Sequence, residues 1–148
     1  MRGMSETKTL PTIDSIREDF SFLDDWEERY RYVIDLGREL PPITEAEHSD
    51  ANKVQGCVSQ VWLVTDAGPG PDPVIDFRAD SDAHIVRGLV AIMLALHSGK
   101  HASEILATDA EGTLRELGLD EHLTPQRANG VRAMIARIRR EAESRMNG

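Results

Sequence analysis

The sequence predicts an α+β domain in which a small antiparallel three-stranded sheet packs against several helices. Three observations lead to this prediction. Apolar residues recur at helical spacing near the amino end and through the carboxyl half, short strand-like runs lie between residues 53 and 79, and a glycine- and proline-rich turn separates two of these runs. No internal repeat divides the chain, so residues 1–148 are predicted to form one domain, with residues 1–12 as a flexible amino-terminal tail.

The amino-terminal third is predicted to hold two helices. The first covers the amphipathic stretch of residues 13–20. The second has Asp24 as its expected N-cap, carries apolar residues at helical spacing and ends at Gly37. Two prolines then break the pattern, and the polar residues 43–52 are predicted to form a surface connection with at most one helical turn.

The central part of the chain is predicted to form the sheet. Residues 53–56, 59–65 and 74–79 have strand composition, and the turn 66–73 joins the last two. Cys57 lies between the first and the second of these strands. The three strands are therefore expected to form an antiparallel meander.

The carboxyl half is predicted to be helical. Ser81 is the expected cap of a long, mostly buried helix that ends at Gly99. Two short leucine-containing helices, at residues 103–106 and 114–117, are expected to pack against it. Thr124 followed by proline is a strong helix start, and this last helix is predicted to run to about residue 143.

Composition limits the possible partners and the compartment. The net charge of -9 argues against general binding to nucleic acid, whose phosphates favour clustered cations. The chain has neither a run of roughly 20 apolar residues nor an apolar amino-terminal segment of signal-peptide length, so no membrane association is expected. The expected location is the cytoplasm, which is reducing.

Cys57 is the only cysteine, so it can form neither an internal disulfide nor a multi-thiolate metal site by itself. A nucleophile, a sulfur carrier, a redox sensor and an inert filler remain possible roles. Its neighbours Gly56, Ser59 and Gln60 suit an exposed turn better than a core position, which favours a reactive role. Because nearby cations favour the thiolate, Arg127 in the first turn of the last helix is a candidate to influence it.

Several short motifs lie in order along residues 13–142. They are Tyr32-Val33-Ile34-Asp35-Leu36-Gly37, Leu40-Pro41-Pro42, Val54-Gln55-Gly56-Cys57, Ser59-Gln60-Val61-Trp62, Ser81-Asp82-Ala83, Ile85-Val86-Arg87-Gly88-Leu89 and Leu123-Thr124-Pro125 with Arg127 and Gly130. This set resembles the SufE family, sulfur acceptors that work with a cysteine desulfurase in iron-sulfur cluster assembly. The family often has glutamine after the cysteine, where this chain has Val58.

The resemblance implies a SufE/IscU-like fold and a specific role for Cys57. This residue would accept a persulfide sulfur from the desulfurase, stimulate that enzyme and pass the sulfur to an iron-sulfur cluster scaffold complex. Such a transfer needs one thiol and no cofactor, since the pyridoxal phosphate would belong to the desulfurase. The protein would be a transfer accessory rather than a stand-alone enzyme, and a monomer or weak homodimer. Residues expected to support the loop or the thiolate are Gly56, Ser59, Gln60, Asp82 and Arg127.

Three other functions compete with this interpretation. A cysteine hydrolase would pair Cys57 with one of the five histidines, but these are scattered and lack a catalytic motif. A cluster scaffold normally uses three cysteines, and this chain offers one. A pure interaction module would activate the desulfurase by binding alone. Replacing Cys57 by serine separates the module from the sulfur acceptor.

Overall fold

A computed structural model describes residues 10–57 and 59–146. These residues form six helices and three strands, in an α+β arrangement as predicted. In chain order the elements are α1 (Ile13–Ser21), α2 (Trp26–Gly37), β1 (Val61–Ala67), β2 (Val74–Ser81), α3 (His84–His97), β3 (Lys100–His101), α4 (Ala102–Ala107), α5 (Ala110–Glu116) and α6 (Pro125–Arg145). Most of the predicted amino-terminal tail lies outside the described residues, and within its last part Leu10 packs against the core.

The sheet is antiparallel with the strand order β1-β2-β3, and β1 pairs with β2 from Val61↔Ser81 to Ala67↔Ile75. The prediction of a strand over residues 53–56 is wrong. Lys53 forms only an isolated bridge to β1, Val54 adds one backbone hydrogen bond to Val61, and Gln55 and Gly56 form a turn. The third strand is instead the two-residue β3, which pairs with the start of β2. It was missed because so short a segment carries no periodic pattern.

Helix starts follow local capping chemistry, with two corrections to the predicted caps. The N-cap of α2 is Asp25 rather than Asp24, and its carboxylate accepts a hydrogen bond from the Glu28 N–H at 2.9 Å. Ser81 is the last residue of β2 and does not cap α3, which begins at His84 without a side-chain cap. The predicted start of the last helix is confirmed, since the Thr124 hydroxyl accepts from the N–H of Arg127, the third residue of α6.

The centre of the core is α3, whose residues are buried around most of its circumference. Helix α2 packs against it at a glycine contact. A Cβ added at Gly88 would overlap with the carbonyl oxygen of Val33, and one at Gly37 would lie 2.8 Å from the Gly88 nitrogen. Two glycines therefore allow the helix backbones to approach closely. Helix α6 crosses another side of α3, and its Val131, Met134 and Ile138 complete the core beside the cysteine.

No helix among the described residues is both long enough and apolar enough to span a membrane.

Candidate functional site

Cys57 lies in a turn that joins a short extended segment to β1. The Val54 N–H donates to the Val61 carbonyl oxygen at 2.8 Å, so the chain is paired on both sides of residues 55–60, which we call the cysteine turn. Gly56 has a φ of 96°, a left-handed conformation that glycine adopts without a steric penalty. Val58, the departure from the SufE pattern, lies outside the described residues. The prediction of a turn before a strand is confirmed, since Gln55 and Gly56 form a turn next to Cys57. The expectation that this turn leaves the cysteine exposed is wrong, because Cys57 is partly buried.

The cysteine turn folds back against α6, and this contact leaves the thiol half-buried. The Cys57 Sγ donates to the carbonyl oxygen of Gly130 at 3.5 Å. A Cβ added at Gly130 would lie 3.6 Å from that sulfur, so the sulfur rests directly on the helix surface. Burial raises the pKa of the Cys57 thiol above its usual value. In this arrangement the nucleophilic thiolate is disfavoured.

Beside the sulfur is a cavity of about 270 Å³ between the cysteine turn, α3 and α6. Its wall is mainly apolar, and its polar residues come from the turn and the start of α6. Arg127 carries the one charged side chain among the described lining residues. The lining consists of Cys57, Ser59, Val61, Val86, Leu89, Thr124, Gln126, Arg127, Gly130, Val131 and Met134. A group attached to Cys57 would therefore meet both an apolar surface and a cation.

The end of the cysteine turn is tied to the segment before α3. The Gln60 backbone N–H donates to Asp82 Oδ1 at 3.0 Å, and its side-chain amide donates to Oδ2 at 3.4 Å. In return the Asp82 backbone N–H donates to the Gln60 carbonyl oxygen at 3.3 Å. These bonds extend the β1–β2 ladder beyond the Val61–Ser81 pair. Asp82 and Gln60, expected near the site, thus lie together at the edge of the turn.

The other two expected supporting residues reach the cavity in different ways. Ser59 lines it from the turn, and Arg127 lines it from the first turn of α6. The Arg127 backbone N–H donates to the Thr124 hydroxyl, whereas no hydrogen bond or ion pair is described for its guanidinium. This cation lies at the cavity without being committed to another group in the described structure.

None of the five histidines lines the cavity beside Cys57, although all lie in the described residues. His97 is buried, and its Nδ1 lies 2.7 Å from the Met93 carbonyl oxygen. His48 contacts Asp80, and His122 stacks on a tryptophan. This geometry gives Cys57 no imidazole base, so it does not support a cysteine hydrolase. Among the described residues, no group of three potential His, Cys, Asp or Glu ligands could hold a metal ion.

Sequence reasoning did not identify two contacts of the turn with α6. Gly130 belongs to a motif of the resemblance but was not predicted to touch the thiol. Arg137 bonds to the backbone before the turn, a contact that was not predicted. Arg137 lies seven residues after Gly130, and residues at this spacing share one face of a helix. This spacing was the signal in the sequence that could have placed Arg137 on the same face as Gly130.

The site is thus a half-buried single thiol beside a mainly apolar cavity on a small α+β domain. The chain matches the SufE family, described as an Fe-S metabolism associated domain, over residues 14–142. It belongs to this family. An uncharacterized SufE-like protein of Rhizobium meliloti (strain 1021) is 58% identical over 138 residues, which are 93% of this chain and 99% of that protein.

A second relative agrees in family, and a solved structure agrees in fold. An uncharacterized SufE-like protein of Rhizobium etli is 56% identical over 137 residues, covering 92% of this chain and 93% of that protein. The solution structure of a hypothetical protein from Thermus thermophilus has a TM-score of 0.70 at 20% identity, covering 92% of this chain and 96% of that chain. This likeness shows the fold.

Proposed function

We propose that this protein is a sulfur acceptor that takes a persulfide sulfur from a cysteine desulfurase onto Cys57 and passes it to iron-sulfur cluster assembly. The observation that carries the proposal is the Cys57 thiol, held against α6 and facing an apolar cavity in a protein of the SufE family. Removal of the product sulfur would stimulate the desulfurase. The acceptor needs no cofactor of its own, because pyridoxal phosphate chemistry belongs to the partner.

The transfer is a thiol–persulfide exchange. The Cys57 thiolate attacks the terminal sulfur of the partner's cysteine persulfide, and a new S–S bond forms as the old one breaks. The bonding electrons leave with the partner's cysteine, which becomes a thiolate. There is no net oxidation or reduction, so one nucleophile is sufficient and no external reductant is consumed.

The environment of Cys57 supports a two-position cycle. At rest, burial raises the thiol pKa and the Sγ donates to the Gly130 carbonyl oxygen, so the reactive thiolate is disfavoured. Contact with the desulfurase would release the cysteine turn and expose the sulfur. After transfer the turn would return, and the apolar cavity would shelter the terminal sulfur from small reductants while Arg127 faces its negative charge.

The decisive experiment is to incubate the protein with its cysteine desulfurase and free cysteine, then analyse the Cys57 peptide by mass spectrometry without reduction. We expect a gain of one sulfur atom that disappears after treatment with dithiothreitol. Reactions without free cysteine and with Cys57→Ser are the controls. An unmodified Cys57 peptide while the desulfurase turns over would reject the proposal.

The same reactions distinguish the pure interaction module. The rate of alanine release by the desulfurase should rise with the wild-type protein and remain at its basal value with Cys57→Ser. If Cys57→Ser stimulates as strongly as the wild type, the protein acts by binding alone. The serine variant should fold normally because it replaces one small half-buried side chain by another.

A further inference from the structure

Arg137 of α6 holds the backbone segment that leads into the cysteine turn. Its guanidinium donates through Nη1 to the Lys53 carbonyl oxygen at 3.1 Å and through Nη2 to the Ala51 carbonyl oxygen at 3.0 Å. The carbonyl between them, that of Asn52, accepts from the Leu63 N–H of β1 at 2.8 Å. Successive carbonyls thus bond alternately to the sheet and to α6. On the side of this segment that faces away from β1, the Arg137 guanidinium donates the hydrogen bonds that a neighbouring strand would otherwise donate.

The orientation of Arg137 is itself fixed. Its Nε donates to the carboxylate of Glu141, one helical turn away, at 3.0 Å. The two side chains are only 14% and 19% exposed. A planar guanidinium with all three of its nitrogens engaged has one permitted orientation, which an ammonium group does not reproduce. The contact is therefore directional as well as electrostatic.

The bonds of Arg137 continue a line of contacts along one face of α6. Gly130 contacts the sulfur of Cys57, and a Cβ added at Gly56 would lie 3.2 Å from the Cβ of Ala133. Arg137 follows four residues after Ala133 and bonds to the segment before the turn. This spacing places the three contacts on consecutive turns of the helix. The contact of the Cys57 sulfur with Gly130 is weak, whereas Arg137 donates two charge-assisted hydrogen bonds to the segment before the turn.

We propose that Arg137 is a positioning residue for sulfur transfer: it fixes the backbone before the cysteine turn against α6, so that only the turn moves and Cys57 returns to Gly130. This inference rests on the proposed function for its effect on sulfur transfer. Its effect on the exposure of Cys57 requires no partner and can be measured on the isolated protein.

The test compares three variants by the rate at which iodoacetamide alkylates Cys57, followed across pH. Arg137→Met keeps the aliphatic stem and removes the donors, whereas Arg137→Lys keeps the charge but cannot bond to both carbonyls and Glu141. Arg140→Met is the matched control, because Arg140 is exposed on the same helix and no side-chain bond is described for it. We expect alkylation about tenfold faster for Arg137→Met, an intermediate rate for Arg137→Lys and the wild-type rate for Arg140→Met.

The pH profile distinguishes positioning from loss of stability. A thiol that leaves the helix surface loses the burial that raises its pKa, so the alkylation profile of Arg137→Met should shift to lower pH. Wild-type alkylation in Arg137→Met, or an acceleration explained fully by its global unfolding in urea, would overturn the inference. If Arg137→Met does not fold, the alkylation rate and pH profile of Arg137→Lys test the inference instead.

A second measurement connects the inference to transfer. Persulfide loaded on Cys57 should be reduced by dithiothreitol about tenfold faster in Arg137→Met than in Arg140→Met, because the turn shelters it less well. Equal rates would overturn the role in transfer. If the wild-type protein accepts no sulfur, the proposed function fails, whereas the alkylation rates still decide whether Arg137 positions Cys57.

Discussion

Asp82 and Gln60 bond to each other through both backbone and side chain. The Asp82 carboxylate accepts from the Gln60 N–H at 3.0 Å, and the Asp82 N–H donates to the Gln60 carbonyl oxygen at 3.3 Å. Asp82 thereby extends the sheet by one pair and fixes the residue at which the cysteine turn ends. The turn is thus anchored on one side at Asp82 and on the other at Arg137, with Cys57 between the two anchors.

The first prediction concerns the Asp82 anchor. Asp82→Ala removes both carboxylate acceptors, so we expect the turn to open more often and Cys57 to be alkylated about tenfold faster, which corresponds to one lost hydrogen bond to a charged group. Asp82→Asn keeps one acceptor and should give a smaller increase. Asp120→Ala is the control, since Asp120 is exposed and no side-chain bond is described for it. Equal alkylation of Asp82→Ala and Asp120→Ala would show that this anchor does not hold the turn.

The second prediction concerns Arg127, whose guanidinium has no described partner but lines the cavity. Arg127→Gln should slow sulfur loading of Cys57 about tenfold, because the Cys57 thiolate that must form before the attack loses a nearby cation that favours it. The thermal midpoint should change little, since surface substitutions without partners are close to neutral. The same substitution at Arg140 is the control. Loading at the wild-type rate would remove Arg127 from the transfer site.

The third prediction concerns His97, which is 1% exposed in the core. Burial is the largest cause that lowers its pKa from 6.5 to about 4. Between these values the unfolded chain binds a proton that the folded protein does not, so stability falls as the pH falls from about 6.5 towards 4. The contribution of His97 to this loss between pH 7 and pH 5 should be about 2 kcal/mol.

Urea unfolding of the wild type, His97→Gln and His84→Gln at these two pH values checks this expectation. His97→Gln should show a smaller loss, whereas His84→Gln, at an exposed position, should behave as the wild type. His48 acts in the opposite direction, because its hydrogen bond to Asp80 raises its pKa and its contribution is lost as the pH rises. That contribution is common to all three proteins. An unchanged pH dependence in His97→Gln would contradict the assignment.

Local sequence was enough to predict the classes of the main elements and the place of the reactive residue. Thr124-Pro125 predicted the start of α6, and the strand-like runs predicted β1 and β2, because caps and strand composition are local properties of the chain. The cysteine was expected in a turn from its immediate neighbours. The family motifs identified Asp82 and Arg127 as candidate site residues, but they did not predict which groups these residues contact.

The surroundings of Cys57 depend instead on the packing of distant elements. Its sulfur contacts Gly130, 73 residues away, and the segment before it bonds to Arg137, 84 residues from Lys53. Such contacts depend on how α6 packs against α3 and the segment before β1, which no local pattern encodes. The raised pKa of the thiol follows from the same packing. The residue type and its sequence neighbours thus predicted that Cys57 is reactive. Its partial burial against α6, which raises the thiol pKa, follows only from the tertiary structure.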